Sequence, residues 1–283
     1  MELRARFVKG RVSRRRGFSV GDALASGLGV ASLALLAGFI SLPIISLVLW
    51  TVNEDSWRAM ASPVTRDALL LSVRTTAISM FIIILVGTPA AYVLARAQFP
   101  GKRLVDSLID LPAVLPPSAA GIALLLTFGR FGLVGEPLDA FGIRITFTTV
   151  AVVLAEIFVA AHFYVRQAVV GFSQVRRDVE EAAMVDGAGR FATFTKVTAP
   201  LAFPALVAGA VMAWARALGE FGGTIIFAGS FQGVTQTVPL AIFSALQSDL
   251  DAAVALSVMV LGFAFVVILA AKFLLRKAAD LED

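Results

Sequence analysis

The sequence predicts an all-α integral membrane protein of six transmembrane helices with both termini in the cytoplasm. Three observations carry this reading. First, 58% of the 283 residues are hydrophobic and only 16% are charged, with a mean hydropathy of +0.87; an average soluble domain is about 25% charged and much less apolar. Second, the apolar residues fall in runs long enough to cross a hydrocarbon layer of roughly 30 Å. Third, Lys and Arg are distributed unevenly between the two sides that such spans would create. The segments on the N-terminal side hold eighteen, those on the other side four (Arg58, Arg66, Arg130, Arg144), and Arg74 and Arg216 fall within spans. That asymmetry is the positive-inside pattern.

In chain order, residues 1–20 form a basic tail with seven Lys/Arg, and an apolar run over about 24–50 follows. This run is longer than the apolar region of a signal peptide, so it is read as a retained first helix. Trp50 and Trp57 suit the far interface. Five further spans are expected near 68–95, 108–128, 147–170, 200–228 and 252–275. Pro43 and Pro89 predict mild kinks. The third span contains Pro112, Pro116 and Pro117 in an apolar context, and such backbone is tolerated at membrane depth only where protein or a water-lined cavity satisfies the freed carbonyls. A short helix is expected near 239–247.

The loop between the fourth and fifth spans, 172–199, differs from the others. Asp178 and Glu181 are spaced as an N-cap and its capping-box partner, and Glu180 to Met184 are good helix formers. Gly187-Ala188-Gly189 then breaks the helix, and a second short helical run leads from Arg190 to Pro200. A helix, a glycine elbow and a second helix, exposed between apolar spans, form a device for docking into a partner.

Glu180-Glu181-Ala182-Ala183, then Asp186-Gly187, Phe194 and Pro200, resemble the "EAA" loop of permease subunits in bacterial and archaeal ABC importers. Further segments narrow the resemblance to the molybdate/tungstate/sulfate permease family, and within it to the permease of molybdate importers. These are Phe99 to Lys102, Leu111 to Pro117, Phe128 to Gly132 and Ala215 to Gly222, and the resemblance runs from about the second span to the C-terminus, roughly three quarters of the chain. Ala199 stands where leucine is usual, and His162 where proline is expected in close relatives. The resemblance implies a type I ABC importer permease fold, with 21–283 forming the transmembrane permease domain. It also implies a multi-pass protein of a bacterial or archaeal cell (inner) membrane and a homodimer with the path at its two-fold axis. The implied partners are a cytoplasmic ABC ATPase dimer, which would hold ATP and Mg, an extracytoplasmic oxyanion-binding protein, and the lipid bilayer. Glu180, Glu181, Ala182, Ala183, Asp186, Gly187, Phe194 and Pro200 would be the ATPase-coupling residues, and molybdate, tungstate or sulfate the cargo.

The residues exclude other classes. No G-x-x-x-x-G-K-[ST] run exists, since Gly101-Lys102 follows Ala95-Arg96 rather than a glycine-rich loop, so ATP hydrolysis is not expected of this chain. No cysteine is present, no His/Asp/Glu cluster has metal-ligand spacing, and no aromatic-and-basic face suits nucleic acid. The single histidine has no sequence context that marks a catalytic set. No inverted repeat or filter motif supports a secondary transporter or a channel.

Charged residues inside spans cost roughly 2.5–3.5 kcal/mol each on insertion scales, so they call for a role. Arg216 and Glu220 are four apart and share a helix face. They either face an aqueous path and help a dianion pass, or lock the helix to a neighbour. Arg74 either joins that path or snorkels outward. Pro116 and Pro117 would line the path at the proline-rich third span. His162 reads as a satisfied packing residue rather than a proton carrier, and Asp110 as satisfying local backbone or a nearby basic residue.

Overall fold

The computed structural model describes residues 20–51 and 54–279; the predicted basic tail falls almost wholly outside them. Interresidue contacts divide the chain at Trp50 into two units, 1–50 and 51–283. The first contains α1 (Val20–Trp50), which runs unbroken through Pro43. Its stretch Gly27–Trp50 is apolar on every face and buries nothing within the unit, as expected for a helix solvated by lipid.

The second unit begins with α2 (Glu54–Met60) and the long α3 (Pro63–Arg96), whose start is capped by Ser62 accepting from the Thr65 amide. There follow α4 (Lys102–Val114), α5 (Pro117–Phe128), the short α6 (Gly135–Ala140) and α7 (Thr149–Gln174). The chain then forms α8 (Arg177–Val185), α9 (Arg190–Thr193), a π turn (Phe194–Thr198) and α10 (Ala199–Leu218). It ends with α11 (Gly222–Phe227), α12 (Val238–Leu246) and α13 (Leu250–Ala279). The predicted short helix near 239–247 is α12.

Two expected spans are revised. The third, predicted over 108–128, is a pair: α4 and α5 meet at 118° across Leu115-Pro116. The prolines place the break, since Pro116 and Pro117 have no amide to donate and hold the residue before each in extended backbone. The fifth, predicted over 200–228, stops at Leu218 and resumes as α11 beyond the Gly219–Phe221 break. At its other end it starts earlier than expected, because Arg190 to Leu218 is one continuous apolar helical run. Among the described residues, five helices are thus long and apolar enough to span a membrane, or six if the bent pair counts as one.

The main core lies where α3, α7 and α10 cross, around Ile83, Ala91, Ala160, Tyr164, Phe172 and Ala213. Small residues permit the approach. A Cβ built on Gly171 would stand 2.5 Å from the Ala205 Cβ, and one on Gly209 2.8 Å from the Gln167 Cβ. Close backbone contact of this kind supplies helix association in lipid, where no hydrophobic driving force separates the helices from solvent. A second cluster joins α5, α7 and α11 around Val152, Ala155 and Phe227. A third ties α3 to α12 and α13 around Ala68, Val238 and Leu256.

Candidate functional site

The α8 segment sits at the end of the bundle marked by Arg96. Its start differs from the predicted capping box. Arg176, not Asp178, occupies the cap position and makes no side-chain cap bond. Asp178 lies in the first turn, where it pairs with Arg176 and accepts from the Val179 amide at 3.1 Å. The Arg176 guanidinium holds the Asp178 carboxyl below its ordinary range. Acidic side chains in this turn also suit the positive end of the helix dipole.

The far end is a glycine C-cap. The Gly187 amide donates to Met184 O (3.1 Å) and the Ala188 amide to Ala183 O (2.9 Å), the paired bonds of a Schellman motif. Gly187 has φ +94°, a conformation that side-chain-bearing residues rarely adopt. Asp186 is the cap residue itself.

The two adjacent glutamates face opposite ways. Glu181 is exposed, with Ala182 beside it exposed and Ala183 half-buried. Glu180 is buried: its Oε1 accepts from Thr198 Oγ1 at 2.7 Å and pairs with Arg96 Nη2 at 3.0 Å. Arg96 Nη2 also donates to Val175 O at 2.9 Å. Beside this lies a cleft of about 580 Å³ lined by Tyr92, Arg96, Arg177, Glu180, Glu181 and Met184. Around it stand Val185, 87% exposed, and Phe191, 81% exposed.

Beyond the elbow, Phe194 packs edge-on against Tyr92 (centroids 5.1 Å apart) and lies 5.9 Å from Phe172. Pro200, to which the second helical run leads, is the second residue of α10. It helps to explain the π turn. Pro200 has no amide to continue the ladder, and the Ala199 amide donates five residues back, to Phe194 O. A π turn inside a helix recurs at functional sites.

The second polar region lies where the two helix breaks meet. A Cβ on Gly222 would stand 2.5 Å from the Pro117 Cβ, so the α5 elbow rests against the start of α11. Pro116 is exposed. At this junction Arg216 Nη1 pairs with Glu220 Oε2 at 2.7 Å, although Glu220 lies past the end of α10. Glu220 Oε1 accepts from the Gly223 amide at 2.7 Å, capping α11. The Glu220 side chain is 1% exposed and that of Arg216 30%, so the arginine alone has an open side. Arg74 is exposed on α3 and is not among the residues brought together here.

The sequence reading passed over a buried carboxyl in α7. Glu156 accepts from Thr75 Oγ1 and from Ser79 Oγ, each at 2.7 Å, and lies within electrostatic reach of Glu220. On the same helix, His162 is buried beside the Phe163 ring, with centroids 4.0 Å apart, and its Nδ1 has no hydrogen-bond partner. Asp110 pairs with Arg166 (Nη2 to Oδ2, 2.8 Å), which also binds Asp106 at 2.6 Å. Glu156 could have been singled out by the test applied to Arg216, an acid inside an apolar run; Arg96 and Thr198 carried no such signal.

A bundle of spanning helices with two facing breaks, and a short polar elbow projecting from one end, defines a membrane transport subunit. The chain belongs to the family described as the binding-protein-dependent transport system inner membrane component, whose model matches residues 83–280. It is 44% identical over 231 residues to the molybdenum transport system permease protein ModB of Mycobacterium tuberculosis, covering 82% of this chain and 88% of that protein. ModB of Escherichia coli K12 is 39% identical over 183 residues, 64% of this chain and 80% of the relative. The sulfate transport system permease protein CysW of Synechococcus elongatus is 40% identical over 177 residues, 62% of each chain. Among solved structures, a bacterial ABC transporter that imports the polysaccharide alginate matches 91% of this chain and 96% of its own, with TM-score 0.71 at 17% identity. The MetNI methionine ABC transporter matches 80% and 99%, with TM-score 0.57 at 18% identity. At these identities the structures establish the fold alone.

Proposed function

We propose that this chain is the permease subunit of an ABC importer that carries molybdate into the cytoplasm, driven by a separate ATPase. The observation that carries the reading is the exposed α8 elbow, with Glu181, Val185 and Phe191 open beside a polar cleft. Family membership and the ModB relatives support it, and they favour molybdate over sulfate.

In this reading the elbow faces the cytoplasm, in keeping with the excess of Lys and Arg on that side, and both termini lie there too. ATP and Mg belong to the ATPase dimer, whose groove receives α8. ATP binding closes the ATPase dimer, α8 moves with it, and the spans open outward to a binding protein that delivers the anion. Hydrolysis returns them inward. A second copy of the chain completes the path along the two-fold axis. The residues offered to the anion are Arg216, held by Glu220 yet open on one side, and the elbow of Pro116 and Pro117. Arg74 is an outlying candidate, exposed away from these contacts.

Sulfate is the second reading, favoured by the CysW relative. Uptake assays in proteoliposomes containing the chain, its ATPase and the binding protein separate the two. Accumulation of molybdate against a sulfate excess is expected; accumulation of sulfate alone would keep the architecture and change the cargo.

A further inference from the structure

We propose that Glu180, together with Arg96 and Thr198, forms a clamp that transmits the movement of α8 into the spanning helices. This rests on the coupling role of α8 given above and adds to its short covalent junction with α7 a non-covalent link to α3 and α10.

The covalent path from α8 towards α10 is compliant. It passes through Gly187 and Gly189, where a side chain's first carbon would meet nothing within 4 Å, so no packed side chain stiffens either position. A push on α8 would therefore be taken up at the elbow. Towards α3 no local covalent path exists, because Arg96 and Glu180 are separated by 84 positions in the numbering. Glu180 bypasses both gaps. A single buried carboxylate oxygen engages Thr198 beyond the elbow and Arg96 at the end of α3.

Arg96 adds a third attachment at Val175 O, where α7 passes into α8. The π turn ends at Thr198, so the residue that receives the bond lies where the helix departs from α geometry. Charge-assisted bonds of this kind are short and directional. A buried pair is a weak source of net stability and better suited to fixing an arrangement. Arg96 Nε is buried without an acceptor, which leaves a donor available for a second arrangement of the same three groups. Packed elements with two discrete arrangements are what carry coupling between distant sites.

Glu180 and Arg96 are thus positioning residues, acting through α3 and α10 rather than on cargo or nucleotide. The test uses the complete complex of permease, ATPase and binding protein in proteoliposomes, with two readouts: ATPase retained on purification, and molybdate moved per ATP hydrolysed. E180A and T198V are expected to retain the ATPase while molybdate per ATP falls by roughly two- to thirty-fold. The swap R96E/E180R should recover part of the loss in E180A. T198V removes one hydroxyl and keeps the test open if E180A does not accumulate in membranes.

Unchanged molybdate per ATP in assembled E180A or T198V would overturn the clamp. Loss of the ATPase from E180A would also overturn it, by making Glu180 part of the docking face. The underlying coupling role fails separately, if E181K and V185D together retain both the ATPase and full transport.

Discussion

Glu180 and Glu181 are neighbours in sequence and opposites in environment. On an α-helix, adjacent side chains point about 100° apart, so one can be buried while the next stays exposed. Truncating Glu181 should therefore leave folding intact and act on partner contact: E181A is expected at normal abundance in membranes with reduced transport, read by immunoblot and uptake together. Gly187 behaves differently. No neighbour within 4 Å obstructs a side chain there, but φ +94° carries a backbone strain of about 1–2 kcal/mol for a residue with a Cβ. Gly187→Leu should thus shift the elbow rather than clash, lowering transport with insertion preserved. At the other polar junction, R216A leaves a carboxylate that is 1% exposed without its cation. Breaking such a contact costs on the order of 2–5 kcal/mol, discounted here because the arginine is partly solvated. The expected result is a lower melting temperature in detergent, with E220Q milder because the amide can still accept from Gly223. The exposed members of these sets were legible in the sequence, since Glu181, Gly187 and Arg216 each break a local pattern. Glu180 was legible as a member of the motif but not as a buried acid, because its burial depends on Arg96, which no spacing rule links to it.

At the scale of elements, the helices that pack tightly are set by small residues. Gly171 and Gly209 let α7 and α10 approach until an added Cβ would stand 2.5 Å and 2.8 Å from its neighbours. G171L should prevent this crossing and reduce the yield of monodisperse protein, whereas substitution at the open Gly38 of α1 should not. The long apolar runs gave α1, α3, α7 and α13 within a few residues, since length and hydropathy decide such helices. The broken elements were harder. The three prolines marked the third span as irregular without specifying a 118° bend, which depends on α5 seating against α11. The break after Leu218 was missed because a largely apolar run resumes at Phe221 and continues to Phe227, so Gly219 and Glu220 read as part of one span. The capping box was overcalled: Asp178 had the right spacing, but the turn preceding α8 begins two residues earlier.

Within the second unit, one end carries the α8 elbow, and ion pairs join α3 to α8 (Arg96–Glu180) and α7 to α4 (Arg166–Asp106). The relatives' share of sequence, rather than any single motif, carries the assignment of cargo. The coupling face, by contrast, is argued from geometry, and it should fail as a unit. V185D and F191D, each placing a charge on an exposed apolar position, are expected to release the ATPase on purification without loss of the permease from membranes.

The most direct test of the central claim is ATPase activity of the purified complex in proteoliposomes, with binding protein present and molybdate, tungstate or sulfate added in turn. Stimulation by molybdate, abolished in E181K, is the predicted result. Transport by the chain without any associated ATPase would contradict the account.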